Sequence, residues 1–159
     1  MNVAIIVIQW LHVFLGVFWL GAVLYVDFIL LPTLNRLPLQ EQQRVGGQLG
    51  PRTSRILVPV GITVVLLGFL RGTVFGQLHS LDAVLGSAYG VTWLISLLLG
   101  LGVIAWGLFA LAPRAEALNT AKSPEEYGAI VKTLRALILV ELLIFLALFT
   151  CMILMRFGY

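Results

Sequence analysis

The sequence predicts an all-α integral membrane protein, a single four-helix transmembrane bundle over residues 1–159. Apolar residues (AVILMFWYC) make up 60% of the chain, charged residues only 11%, and the mean hydropathy is +1.05. Ordinary soluble domains carry roughly 25% charged residues, so this chain has too few charges to coat a surface in water. Its 159 residues allow four crossings of about 20 residues each, with enough left over for connections.

The first span is expected at about residues 5–31. No charged residue precedes Asp27, and Pro32 with Asn35-Arg36 ends the apolar stretch. The segment lacks both the basic n-region and the small-residue cleavage site of a secretory signal peptide. We therefore expect an uncleaved transmembrane helix.

The second span is expected at about residues 55–75. Pro59 would lie in its first turns, where the missing N–H of proline costs least. Before this span, Gly46-Gly47 and Gly50-Pro51 are expected to interrupt any helix that begins at Leu39. The structure of the segment between the first two spans is otherwise left open.

The third span is expected at about residues 89–112 and the fourth at about residues 136–156. Residues 83–113 carry no charge, and Glu141 is the one charge between residues 136 and 155. In the third span, Tyr89, Trp93 and Trp106 lie towards the ends, as aromatic anchors at the membrane interface do.

A helix start occurs near residue 124, before the fourth span. Ser123 supplies a hydroxyl N-cap, Pro124 suits the first helical position, and the carboxylates of Glu125 and Glu126 face the positive end of the helix dipole. A helix that continues from there to Met155 would be about 48 Å long, against a hydrocarbon core of about 30 Å. Its first turns would then project into the cytoplasm.

Positive charge predicts the orientation. Eight of the ten basic residues lie on segments 32–55 and 113–135, whereas Arg71 and Arg156 lie at the opposite side. The positive-inside rule therefore puts both segments in the cytoplasm and both termini outside, in a bacterial inner (cell) membrane. The net charge of +3 reflects topology and attraction to anionic headgroups, and predicts no nucleic-acid partner.

Small residues predict close helix packing. Ser96 and Gly100 form a small-xxx-small pair, a spacing that lets two membrane helices approach closely. Similar faces would also suit a homo-oligomer or a larger membrane complex. One functional hypothesis is therefore a non-catalytic subunit or scaffold that packs against other transmembrane helices.

His12 is the first candidate ligand, because polar groups within hydrocarbon are costly to keep. Gly16 and Trp19 share its helix face, and the glycine would leave room for a flat ligand beside the imidazole. A neutral imidazole binds haem iron or copper. The alternative is a histidine that donates to a backbone carbonyl of a neighbouring helix and has only a packing role.

A second ligand would come from the outer end of the bundle. Cys151, Met152 and Met155 of the fourth span are expected level with His12, and their soft sulfur suits Cu(I). His79, in the outer connection, would have to fold over the bundle mouth to complete a bis-histidine haem site. The alternatives are a solvated His79 and methionines that fill gaps or face lipid. The absence of CxxCH, HExxH and cysteine clusters excludes covalent haem, zincin and iron–sulfur sites.

Asp27 and Glu141 are candidate proton or ion-pair sites towards the cytoplasmic side. Their similar depth allows a shared proton between them, or one salt bridge each with Arg55 or Arg135. Together with His12 they would mark a proton or cation path. No nucleophile and base pair is present, so no enzyme class is indicated.

Two stretches of the sequence carry a family resemblance. The first is Trp10-Leu11-His12 with Gly16, Trp19, Gly21 and Leu31-Pro32-Thr33-Leu34, and the second is Leu81-Asp82-Ala83-Val84-Leu85-Gly86-Ser87-Ala88-Tyr89-Gly90. Together they resemble CopD-like (copper-resistance protein D) membrane proteins and small four-helix relatives. The resemblance implies four or more helices and metal handling, copper by the family name, with haem b recurrent in similar folds.

The leading functional hypothesis joins these observations. We expect a metal centre, haem b or a copper ion, in the outer half of the bundle, with His12 as the first ligand and His79, Met152 or Met155 as the second. It would serve copper handling or membrane electron transfer. The scaffold described above is the alternative.

Overall fold

The computed structural model describes residues 3–159, which form a bundle of four long helices and one short one. These helices are α1 (Val3–Leu34), α2 (Leu39–Gly72), α3 (Leu81–Leu85), α4 (Ala88–Leu118) and α5 (Pro124–Arg156). The four long helices have 31 to 34 residues each and are long and apolar enough to cross a membrane. The predicted all-α, four-helix fold class is confirmed.

The long helices pack in chain order, α1 on α2, α2 on α4 and α4 on α5. The backbones of α1 and α5 stay further apart, and large side chains fill the seam between them. There, the rings of Trp19 and Phe145 meet edge to face with centroids 5.1 Å apart. The central core takes residues from all four helices: Trp19, Val23, Val64, Val103 and Phe145.

The two ends of the bundle differ in charge. The connections 35–38 and 119–123 lie at one end, and eight of the ten basic residues lie on these connections or on the adjoining helix segments, as far as Arg55 near the middle of α2. We call this the basic end. The opposite end holds the start of α1, the connection 73–87 with α3, and the end of α5.

The expected interruption before the second span is wrong, because α2 is one continuous helix from Leu39 to Gly72 with Pro51 and Pro59 inside it. The reason is packing. A Cβ added to Gly46 would lie 3.1 Å from Asn119 Oδ1, and Gln43 Nε2 donates to Ala121 O at 2.8 Å. The small residues therefore let the end of α4 and its connection lie against α2, and tertiary contact outweighs helix propensity.

Wide turns occur in α1 and α4 next to proline. The segments Val26–Leu30 and Gly107–Leu111 are π-helical. A proline stands two residues after the end of each segment, Pro32 in α1 and Pro113 in α4. A proline cannot donate to the carbonyl four residues earlier and its ring crowds that carbonyl. The wider turn relieves the crowding. Both helices therefore continue past the ends predicted at residues 31 and 112, to Leu34 and Leu118.

The predicted helix start before the fourth span is confirmed. Ser123 Oγ accepts from the Glu126 N–H at 3.2 Å, and Glu126 Oε2 in turn accepts from the Lys122 N–H at 2.8 Å. This reciprocal pair resembles a capping box, which satisfies N–H groups that the first turn leaves free. From Pro124 the helix continues unbroken to Arg156.

The outer faces of the long helices are apolar. Val17 is 67% exposed, Phe28 65% and Phe109 77%. A surface of this kind suits contact with the hydrocarbon of a lipid bilayer rather than with water.

Candidate functional sites in the helix bundle

His12 is buried between α1 and α2. Its Nδ1 lies 2.9 Å from Val64 O, and the ring lies against Gly68, where an added Cβ would be 3.0 Å from His12 Cε1. A carbonyl can only accept, so Nδ1 carries the proton and Nε2 keeps its lone pair. Glycine at position 68 is what allows the imidazole to approach the α2 backbone.

The neighbours of His12 on α1 have packing partners of their own. Trp19 lies over Gly61, where an added Cβ would be 2.7 Å from Trp19 Cζ2. Beside Gly16 the space is occupied by Val64, whose Cγ1 lies 3.9 Å from the Cβ position. A side chain of α2 therefore borders the room expected there for a flat ligand.

The predicted second ligands lie in different surroundings. His79 is exposed in the connection after α2, Met152 is 37% exposed and Met155 is half-buried on the last turns of α5. Cys151 is buried and free. In the described part of the chain, no three His, Cys, Asp or Glu side chains converge on one point. The metal ligand set therefore stays a prediction.

The two carboxylates predicted at similar depth are neighbours. Glu141, on α5, is 8% exposed, and Asp27 lines a cavity together with Ile138 and Leu142, which flank Glu141 on α5. Asp27 belongs to the π-helical turn of α1, and its Oδ2 is buried without a hydrogen-bond partner among residues 3–159. This placement allows a shared proton between the two, the first of the two arrangements considered, and that arrangement stays a prediction.

The salt bridges expected with Arg55 and Arg135 are absent from residues 3–159. Arg135 instead lines a groove beside the pair, and Arg55 is exposed on α2. Two carboxyl groups therefore share an apolar seam without a counter-ion from this part of the chain.

A groove runs along the α1–α5 seam at the basic end. Its apolar part, about 290 Å³, extends from Asn35 and Arg135 down to Asp27 and is walled by leucine, isoleucine and phenylalanine side chains. Its polar part, about 430 Å³, lies nearer the basic end. Asn35, Val131 and Arg135 line both parts, so we treat them as one basic-end groove.

The polar part contains groups that sequence reasoning missed. Gln42 is buried, its Nε2 donates to Leu37 O at 2.6 Å, and its Oε1 has no partner among residues 3–159. Tyr127 donates its hydroxyl to Asn35 Oδ1 at 3.3 Å. Gln42 and Tyr127 each stand three residues after the first residue of a helix, but only the fold, which brings the starts of α2 and α5 to the same end of the bundle, reveals that they line one groove.

The chain thus offers three chemical features: an imidazole with a fixed tautomer, a buried carboxyl pair, and a groove with basic residues at its mouth. The imidazole lies between α1 and α2, and the other two share the α1–α5 seam. The chain matches no known family model, and no curated protein or solved structure matches it either.

Proposed function

We propose that this chain is an integral membrane protein that takes up and releases a proton at the Asp27–Glu141 carboxyl pair. The observation that supports it is that the two carboxyl groups are neighbours in an apolar seam without a cationic partner among residues 3–159. Two adjacent carboxylates without a cation repel one another, and a proton shared between them removes that repulsion. We therefore expect the pair to hold one exchangeable proton.

The basic-end groove would connect this proton to one side of the membrane. Asp27 lines the groove, which opens towards Asn35 and Arg135. By the positive-inside rule we assign the basic end to the cytoplasm of a bacterial cell, with both termini outside. The site would then exchange protons with the cytoplasmic side.

The test uses dicyclohexylcarbodiimide, an apolar reagent that modifies protonated carboxyl groups in membranes. The purified full chain is treated in detergent across a pH series, and modified residues are located by peptide mass spectrometry. We expect modification at Asp27 or Glu141 that declines as the pH rises. The exposed Glu116, at the end of α4, should stay unmodified under the same conditions.

Two variants make the result specific. Glu141→Gln and Asp27→Asn each remove one carboxyl while keeping its size, and the residue left behind no longer has a carboxylate neighbour. We expect each variant to lose its own adduct and to change the pH dependence at the remaining carboxyl. Equal modification of Glu116, or no modification of the pair at any pH in folded protein, would refute the proposal.

A metal centre at His12 is the second candidate function. It is favoured by the hydrogen bond from Nδ1 to Val64 O, because metal-binding histidines commonly engage a backbone carbonyl through the nitrogen that does not bind metal. One available imidazole nitrogen suits an axial ligand to haem b better than a copper ion, which needs several protein ligands. Haem would also require α1 and α2 to part where Val64 fills the space beside Gly16.

The optical spectrum of the purified protein tests this second candidate. A Soret band that is lost in His12→Ala and kept in His79→Ala would support haem bound through His12. Bound copper without a visible haem spectrum would support the copper-handling role that the CopD-like resemblance implies. Colourless, metal-free protein that copurifies with a larger complex would favour the scaffold instead.

A further inference from the structure

The polar part of the basic-end groove is lined by two basic side chains. Lys132 and Arg135 lie three residues apart on α5, a spacing that puts both on one helix face, and both line the polar part. Neither has a salt-bridge partner in the described part of the chain, and no acidic side chain lines the polar part. The local charge therefore favours an anion.

Gln42 also lines the polar part of the groove, independently of the two basic side chains. Gln42 is 9% exposed, and its Nε2 is already engaged with Leu37 O. That bond fixes the orientation of the amide, so the unpartnered Oε1 is an acceptor without a donor. A buried acceptor of this kind is costly unless a donor reaches it. The ligand should therefore carry a hydroxyl or another donor besides its negative charge.

Beyond the polar part, the groove continues along α5 as its apolar part. From Arg135 to Leu142 the wall descends about 10 Å along α5. Phe28 and Leu139 line it, and they are 65% and 59% exposed on the outer face of the bundle. A phosphate at the mouth and an aliphatic chain beyond it together match a membrane amphiphile, whereas a small soluble phosphate would leave this apolar wall uncovered.

We infer that the basic-end groove binds an anionic glycerophospholipid whose headgroup carries hydroxyl groups, the chemistry of phosphatidylglycerol. Lys132 and Arg135 contact the phosphate, and one acyl chain lies along Phe28 and Leu139. A headgroup hydroxyl donates to Gln42 Oε1 once the side chains that cover this buried oxygen move aside.

Native mass spectrometry of the full chain in detergent tests the inference. The probes are phosphatidylglycerol, phosphatidic acid and phosphatidylcholine with identical acyl chains. We expect phosphatidylglycerol to bind about tenfold or more tightly than phosphatidylcholine, which corresponds to the charge-assisted contacts of two basic groups. Phosphatidic acid, which lacks the headgroup hydroxyls, should fall between them.

Three variants separate this site from general attraction to the basic end. Lys132→Gln combined with Arg135→Gln should abolish the preference for anionic lipid, and Gln42→Leu should reduce phosphatidylglycerol binding to the level of phosphatidic acid. Lys122→Gln, an exposed change at the same end outside the groove, is the control and should have no effect. Circular dichroism confirms that each variant keeps its helices.

Several results would overturn the inference. Phosphatidylcholine binding as tightly as phosphatidylglycerol would exclude an anion site, and an equal loss in Lys122→Gln would indicate diffuse charge rather than a built groove. Competition by glycerol 1-phosphate at concentrations comparable to the lipid would show that the groove selects a soluble phosphate and not a membrane lipid.

Discussion

Replacing Gly61 by alanine should destabilise the bundle although alanine is the better helix former. Carbon atoms in contact prefer separations of about 3.5–4.0 Å, and a Cβ at position 61 would lie 2.7 Å from Trp19 Cζ2. The indole or α2 must therefore move by about 1 Å. The ring has little freedom to move, because Trp19 is 7% exposed and packs edge to face on Phe145.

The expected magnitude is the difference between two opposing effects. Overpacking a core costs about 1–3 kcal/mol, while a glycine-to-alanine change within a helix gains about 1 kcal/mol. We expect Gly61→Ala to lower the free energy of unfolding by up to about 2 kcal/mol relative to the original chain, which is about 1–3 kcal/mol below a Gly→Ala change without a clash. Unfolding is measured in detergent micelles by circular dichroism during heating or titration with a denaturing detergent.

The matched control is Gly21→Ala on α1, because no atom lies within 4 Å of its added Cβ. This variant should be neutral or more stable than the original chain. Adding Trp19→Phe to Gly61→Ala should recover part of the loss, since the smaller ring vacates the contact. If Gly61→Ala proves as stable as Gly21→Ala, contact with the Trp19 ring does not require glycine at position 61.

Two further changes probe other parts of the bundle. Glu141→Leu should raise the free energy of unfolding in the same assay by about 1 kcal/mol, since a buried carboxyl without a cationic partner is replaced by an apolar side chain. The control Glu116→Leu, at an exposed position, should not raise it. A loss of stability in Glu141→Leu would argue against an unpaired carboxyl. Ser123→Ala removes the hydroxyl that accepts from the Glu126 N–H and should cost about 1 kcal/mol. Hydrogen exchange should show faster exchange in the first turn of α5 only, and unchanged protection there would contradict the capping role.

The features predicted correctly from the sequence are those that depend on local signals. Ser123, Pro124 and Glu126 start α5 because capping needs only neighbouring residues. Asp27 and Glu141 could be identified singly because a charge within an apolar segment is conspicuous, and similar depth suggested that they meet.

The features that escaped prediction depend on which helices face one another. Gly46-Gly47 argues for a break by propensity, yet contact with Asn119 makes it part of a continuous helix. The glycines that receive the His12 and Trp19 rings, and the orientation of Gln42 into the groove, likewise follow from pairing that no local pattern encodes. His12 donates to the backbone of a neighbouring helix, which is compatible with both of its predicted roles, and its metal role stays a prediction.

The wider spacing of α1 and α5 affects how any ligand reaches the groove. No connection joins these two helices directly, and the Trp19–Phe145 ring pair fills the seam between them. Widening this seam would disturb fewer backbone contacts than separating any pair of helices adjacent in sequence. An amphiphile dissolved in the bilayer therefore reaches the groove sideways, from the leaflet at the basic end. Its occupancy would follow the mole fraction of that lipid in the leaflet, not its concentration in water.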